Sequence, residues 1–134
     1  MFPFFRMEVN MTIEQAIAKI DSLKPNTYTE MDKLEWLNEL DGRIKAEIVD
    51  THEDADEVFY FGYNEDTDLE STALIVPSPY DDIYIKWLES KIDYANAEYA
   101  KYNNSSTAFN NAYQAFERYY NRQHMPKTTH LKFF

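Results

Sequence analysis

The segment from Ser78 to Tyr102, SPYDDIYIKWLESKIDYANAEYAKY, constrains the fold more than any other, because its pattern admits one regular element, a helix. Ser78 is a capping residue and Pro79 takes the first helical position, where a missing N–H costs nothing. Asp81 and Asp82 then set negative charge against the positive end of the helix dipole. On a 3.6-residue period Ile83, Tyr84, Trp87, Leu88, Ile92, Tyr94, Ala95, Tyr99 and Tyr102 cover about half the circumference, with Lys86, Glu89, Asp93 and Ala97 opposite. A surface helix needs an apolar stripe roughly a third of the way round, so this one requires at least two neighbours, in its own chain or in another copy. Its tyrosines suit a contact that is dry at the ring and wet at the hydroxyl.

Two helices precede it. Thr12 opens a capping box with Gln15, and Ile13, Ala16, Ile17, Ile20 and Leu23 share a face up to Pro25. Thr29 caps a second helix, with Glu30 and Asp32 in its first turn and Leu34, Leu37, Ile44 and Ile48 in its stripe, Leu40 at the margin, running to about Asp50. Asp41 falls inside that stripe, with Gly42 after it. Either Asp41 leaves the core there and pairs with a base such as Lys45, or it contacts a neighbouring subunit. After the central helix, Asn103 to Ser106 reads as a polar break with Ser105 or Ser106 as the next cap. Phe109, Ala112, Tyr113, Phe116 and Tyr120 then place a fourth helix to about Arg122, antiparallel to the third because the connection is short.

Between Ala46 and Ile85 there are twelve acids and no lysine or arginine. Val58–Phe61 and Leu74–Val76 are β-prone, and the polar run between them predicts a hairpin with a long, mobile tip. The chain therefore reads as mainly α, a small antiparallel bundle of about four helices with a short β-hairpin insertion at about 57–77. The 134 residues make a single domain over 11–122, after an extension at 1–10 and before a flexible tail at 123–134.

Composition narrows the chemistry. Without cysteine there is neither a disulfide nor a thiolate metal site, and two glycines argue against a phosphate-cradling loop. A formal charge of -11 excludes a nucleic-acid binder that works through phosphates, since that affinity comes from lysine and arginine. No apolar run is long enough to span a membrane. The acids Asp54, Asp56, Glu57, Glu65, Asp66 and Asp68 lack the glycine and closing glutamate of a helix-loop-helix calcium site and read as a solvated face. His52, His124 and His130 are too scattered for zinc, and no serine or threonine sits in a nucleophile motif. Asn103 and Asn104 head glycosylation sequons that mean only loop composition without a secretion signal. The expectation is no enzyme, no cofactor and no metal, but an acidic helical interaction module.

Two blocks, MTIEQAIAKIDSLKPNTYTEMDKLEWLNELDGRI and VPSPYDDIYIKWLESKIDYANAEYAKYNNSSTAFNNAYQAFERYYNRQHMP, resemble the small head-tail connector or head-completion adaptors of tailed phages and prophages of Gram-positive bacteria. They cover most of residues 11–126, with the acidic middle as the variable part. The resemblance implies a structural virion protein that forms a ring, usually twelvefold, below the portal, extends the DNA channel and docks the tail. Its implied partners are the portal protein and tail-proximal connector proteins, with DNA passing nearby unbound. Its implied place is the head-tail junction, after assembly in the host cytoplasm. A closed ring needs two unlike faces on each copy. Asp41, Tyr84, Trp87, Tyr94 and Tyr99 are the expected subunit or partner contacts, Leu131, Phe133 and Phe134 the expected portal-facing tail, and the loop acids the expected channel lining, where they repel phosphate. The competing readings are a tail terminator and an acidic host-directed regulator that imitates DNA.

Overall fold

In the computed structural model, which describes residues 10–55, 58, 60–125 and 127, four helices enclose one core and a two-stranded antiparallel sheet closes one end. In chain order the elements are β1 (Asn10–Thr12), α1 (Ile13–Leu23), α2 (Glu30–Glu47) with a 3-10 turn at Val49–Thr51, β2 (Ala73–Pro77), α3 (Asp82–Ala95) and α4 (Tyr99–Gln123). This is the expected mainly α fold with a short β element. Of the extension expected at 1–10, Asn10 instead belongs to β1; residues 1–9 and the end of the tail lie outside the described residues.

Local chemistry sets the first two helices. Thr12 Oγ1 accepts from the Gln15 N–H at 3.2 Å while Gln15 Oε1 accepts from the Thr12 N–H at 3.0 Å. Thr29 and Asp32 repeat the reciprocal pair at 3.0 Å each way. Each box satisfies two backbone donors that a helix start otherwise leaves open. Inside, Ile13, Ile20, Leu37, Leu40, Ile44, Ile83, Leu88 and Ile92 are at most 1% exposed, each stabilising the fold by roughly 1.5–3 kcal/mol through burial. Phe109 and Phe116 of α4 close the core from the other side, and α3 and α4 form the most extensive helix pair.

The central helix is shorter than expected at both ends. Ser78 does not cap it, because the Tyr80 N–H bonds back to Pro77 O at 2.9 Å in a turn and the helix begins at Asp82. It stops at Ala95. Ala97 takes the left-handed conformation (φ 59°), the Ala97 N–H reaches Tyr94 O at 3.0 Å and the Glu98 N–H reaches Asp93 O at 2.9 Å. This pair of bonds is a Schellman stop, usually announced by glycine or asparagine at the left-handed position. Here alanine fills it, so the sequence carries no stop signal. The chain reverses at once into α4, and Asn103–Ser106, expected as a break, lies inside that helix. The half-circumference of apolar residues is thus the sum of two helices, with Tyr99 and Tyr102 belonging to the second.

The strand at 74–76 is present, with Leu74 and Val76 buried and Ile75 half-buried. Its partner comes from the other end of the domain: Asn10 stands opposite Pro77 and Thr12 opposite Ala73, while Val58, Tyr60 and Phe61 are outside any strand. The Asn10 side-chain amide adds donors to Leu74 O (2.9 Å) and Ile75 O (3.2 Å). The acidic loop, expected as an open tip, is hydrogen-bonded locally and to α1. Thr72 O and Leu69 O accept from the Ile13 and Glu14 N–H groups at 3.0 Å each, satisfying the first donors of that helix.

Candidate functional site

The residues singled out from sequence separate into two buried polar clusters, an aromatic end and an acidic loop. Asp41 is fully buried where α2 meets β2 and α3. Its Oδ1 accepts from the Tyr84 hydroxyl at 2.6 Å; its Oδ2 accepts from the Tyr63 hydroxyl at 2.5 Å and the Ile75 N–H at 3.2 Å. Tyr84, itself fully buried, accepts in turn from the Val76 N–H at 2.7 Å. Asp41 and Tyr84 thus satisfy two donors on the edge of β2 that faces away from β1. Burial pushes the Asp41 carboxyl up to about 6, against the opposing pull of the hydrogen bonds from Tyr63, Tyr84 and Ile75. Desolvation and the adjacent carboxylate hold Tyr63 and Tyr84 well above the usual phenol range.

Both sequence readings of Asp41 are therefore corrected. Lys45 pairs with Asp50, at 3.0 Å, and Asp41 is enclosed by its own chain rather than offered to a neighbour. The same burial removes Tyr84 from the partner contacts. Gly42 has its own reason to be glycine: a Cβ there would stand 3.3 Å from the Tyr60 hydroxyl, which donates to Asn38 O at 2.9 Å. Tyr60, Tyr63 and Asn38, none of them singled out from sequence, hold the start of the acidic loop against α2, with the Tyr63 N–H on Asn38 Oδ1 at 2.8 Å.

At the far end, Asp93 is 1% exposed, not outward-facing as its helical phase suggests. Its Oδ2 accepts from the Ser105 hydroxyl at 2.8 Å, and among the described residues the partner of Oδ1 is the Lys24 ammonium at 2.8 Å. Hydrogen bonding to Asp93 raises Lys24 above its ordinary value. Next to this cluster the surface is aromatic. Tyr94 and Tyr99 are both more than half exposed, their rings 5.8 Å apart, and the Tyr102 ring lies 5.2 Å from Tyr94. Leu23 is exposed on the adjoining end of α1. Trp87 is half-buried: its indole N–H donates to Trp36 O at 2.7 Å, its ring packs 4.8 Å from Phe109 and the Lys91 ammonium sits 4.7 Å over it. Trp87 therefore joins α3 to α2 and α4 within one chain.

Glu65, Asp66 and Asp68 are exposed, and Asp68 orders its own turn through the Ser71 hydroxyl at 2.9 Å. Asp54 is exposed and accepts from the Met125 N–H at 2.7 Å. Asp56, Glu57, Leu131, Phe133, Phe134 and His130 lie outside the described residues. His52 and His124, distant in sequence, are neighbours with ring centroids 6.2 Å apart. His52 is buried, Nδ1 2.6 Å from Ile48 O and Nε2 2.7 Å from Asn121 Oδ1. Among the described residues no three His, Asp or Glu side chains are grouped to hold a metal, and no helix is long and apolar enough to cross a membrane.

No protein-family model matches the chain, and neither a curated protein nor a solved structure matches it.

Proposed function

We propose that this chain is a structural protein of a tailed phage or prophage particle, a head-tail connector adaptor that assembles as a ring below the portal and offers the tail a docking surface. One observation carries most weight: the two ends of α1 present unlike surfaces. Its N-terminus is bonded to the acidic loop through Leu69 O and Thr72 O, whereas beyond its C-terminus Lys24 reaches Asp93, beside the exposed pair Tyr94 and Tyr99. Eleven helical residues separate these ends by about 16 Å. A head-to-tail ring needs two different patches on each copy, which a two-fold dimer does not.

Under this reading Tyr94 and Tyr99 are the subunit contact, since amphipathic rings are enriched at interface cores. The acidic loop faces the channel, where its charge keeps DNA moving without binding it. The portal protein and tail-proximal connector proteins are the partners, and the head-tail junction is the location. Light scattering and negative-stain microscopy of the protein, alone and mixed with a phage portal protein, test the proposal. Ring density on the portal is expected, and it should vanish with Tyr94→Asp plus Tyr99→Asp while helical content stays unchanged. A monomer that ignores the portal overturns it.

A further inference from the structure

Phe61 is 92% exposed, more than any other large apolar side chain among the described residues, yet the chain is anchored on both sides of it. Before it, the Tyr60 hydroxyl donates to Asn38 O at 2.9 Å; after it, the Tyr63 N–H reaches Asn38 Oδ1 at 2.8 Å and the Tyr63 hydroxyl reaches Asp41. The Tyr60 and Tyr63 rings meet edge to face, 5.1 Å between centroids. Both glycines of the chain serve this one point. Gly42 leaves room on α2 for the Tyr60 hydroxyl, and Gly62 takes a positive φ of 96° that brings the chain back to Asn38 after Phe61. A lone exposed apolar residue needs no explanation, but one clamped between two anchored tyrosines does.

A knob already held in place binds without the ordering cost that a mobile segment adds. Charge narrows what can receive it. The loop beyond it carries Glu65, Asp66 and Asp68, all exposed, and Ala46 to Ile85 has no base, so two copies meeting loop to loop would set like charges together. Leu23, Tyr94 and Tyr99 offer an exposed apolar patch of a different kind. Beside it Lys24 and Lys101 share a cleft of about 320 Å³ with Glu89 and Asp93, so both signs of charge are present. Lys101 pairs with Glu98 at 3.3 Å, an exposed contact of little worth, and can turn to an incoming acid at small cost. Phe61 and the tyrosine pair do not cover each other within one copy, since each keeps more than half of its surface open.

We propose that Phe61 is the projecting half of a contact between copies of this chain, seated on Leu23, Tyr94 and Tyr99 of the next copy. The inference rests on the ring reading for the identity of the partner, and it adds the surface that meets the tyrosine pair. The two halves are unlike, so the contact runs head to tail. Anchoring on Asn38 and Asp41 puts Phe61 at the root of the acidic loop, which leaves Glu65, Asp66 and Asp68 beyond it to face the channel.

Because the chain has no cysteine, Asn103→Cys, an exposed position one turn along α4 from Tyr99, gives the full-length protein a single site for a benzophenone cross-linker. This protein is mixed with isotope-labelled native protein, alone and with a phage portal protein, then irradiated, and the joined peptides are identified by mass. Cross-links to residues 60–63 of isotope-labelled copies are expected, their yield falling about tenfold when those copies carry Phe61→Ser. Phe61→Ser should leave circular dichroism and melting unchanged, because the side chain is almost wholly in solvent. Cross-links that join copies at other residues, or that survive Phe61→Ser undiminished, overturn the inference. So does their absence while rings form on the portal; in all these cases the connector reading stands. A benzophenone at Glu65→Cys that joins loop to loop overturns the inference in favour of a two-fold dimer. The absence of both cross-links and rings overturns the two readings together.

Discussion

Asp41 and Asp93 are both buried carboxylates, one at each end of the bundle, and their surroundings are unlike. Asp93 meets a cation, Lys24, and a hydroxyl, Ser105. Among the described residues Asp41 has neutral donors alone: two phenols and one backbone N–H. The difference follows from where bases lie in the chain. Lys24 comes directly after α1 and falls beside α3, whereas Ala46 to Ile85, which supplies the loop, β2 and Tyr84 around Asp41, contains no lysine or arginine. A buried charge held by dipoles alone keeps part of its desolvation cost. That cost is visible in the Asp41 carboxyl, which titrates near 6.

Breaking the dipole-held end should have the largest effect. Tyr84→Phe removes a hydrogen bond to a charged group, worth about 1.5–3 kcal/mol, and strands the Val76 N–H, so a loss of about 3 kcal/mol in chemical denaturation is expected. A loss under about 1 kcal/mol would mean that the network relaxes around the deletion.

Acid should act on the same end with a definite sign. In the unfolded chain an aspartate ionises near 3.9, while Asp41 in the folded protein does so at about 6. Between these values the folded state holds the proton and the unfolded state has released it. The contribution of Asp41 is therefore fully present below about pH 4 and is lost as pH rises through about 6. The shift of about two units corresponds to roughly 3 kcal/mol. Because other carboxylates titrate in this range, the measurement is the stability difference between the native protein and Asp41→Asn from pH 4 to 7. It should change by that amount, with the native protein gaining on the acid side, and a flat difference would remove the assignment.

At the cation-held end the expected losses are smaller. Lys24→Met leaves Asp93 with Ser105 alone, but the lysine side chain is 20% exposed, so water and salt already screen the pair and about 2 kcal/mol is expected rather than the full cost of stranding a buried charge. Ser105→Ala should cost about 1 kcal/mol. Lys24→Met becoming the more damaging of Lys24→Met and Tyr84→Phe would reverse the comparison between the two ends.

What could be read from the chain divides along the same lines. The capping box at Thr12, the cap at Thr29 and the core positions Ile13, Ile20, Leu37 and Ile44 were legible because caps and periodicity are local signals; that Asp32 closes a second box was not read. The stop at Ala95 was not, since Ala97 adopts a conformation that alanine seldom takes and nothing nearby announces it. Missing that turn misplaced Asp93 on the outer face and Ser105 in a loop. The conflict at Asp41 was visible, a carboxylate in an apolar stripe, but its resolution needed Tyr63 and Tyr84, 22 and 43 residues away. The pairing of Asn10–Thr12 with Ala73–Pro77 also crosses the whole first half of the chain, and no local pattern encodes such a partner. Of the expected contacts, Tyr94 and Tyr99 are exposed, whereas Asp41 and Tyr84 are interior.

The smallest effect should come from acids that are not buried at all. Glu65 and Asp66 are exposed on the loop, and neither side chain forms an ion pair among the described residues. The turns there are held by Asn64, Thr67 and Asp68: the Asn64 N–H on Thr67 Oγ1 at 2.8 Å, the Asp66 N–H on Asn64 Oδ1 at 2.8 Å and the Glu70 N–H on Asp68 Oδ1 at 3.2 Å. None of these needs the charge of Glu65 or Asp66. Glu65→Gln with Asp66→Asn should therefore leave the denaturation midpoint where it was, or raise it slightly by relieving repulsion in an acidic chain. Unfolding of this double variant, with rescue by added calcium or magnesium in the native protein alone, would mean that the loop binds a structural ion and that its acids belong with Asp41 and Asp93 as groups whose charge the fold depends on.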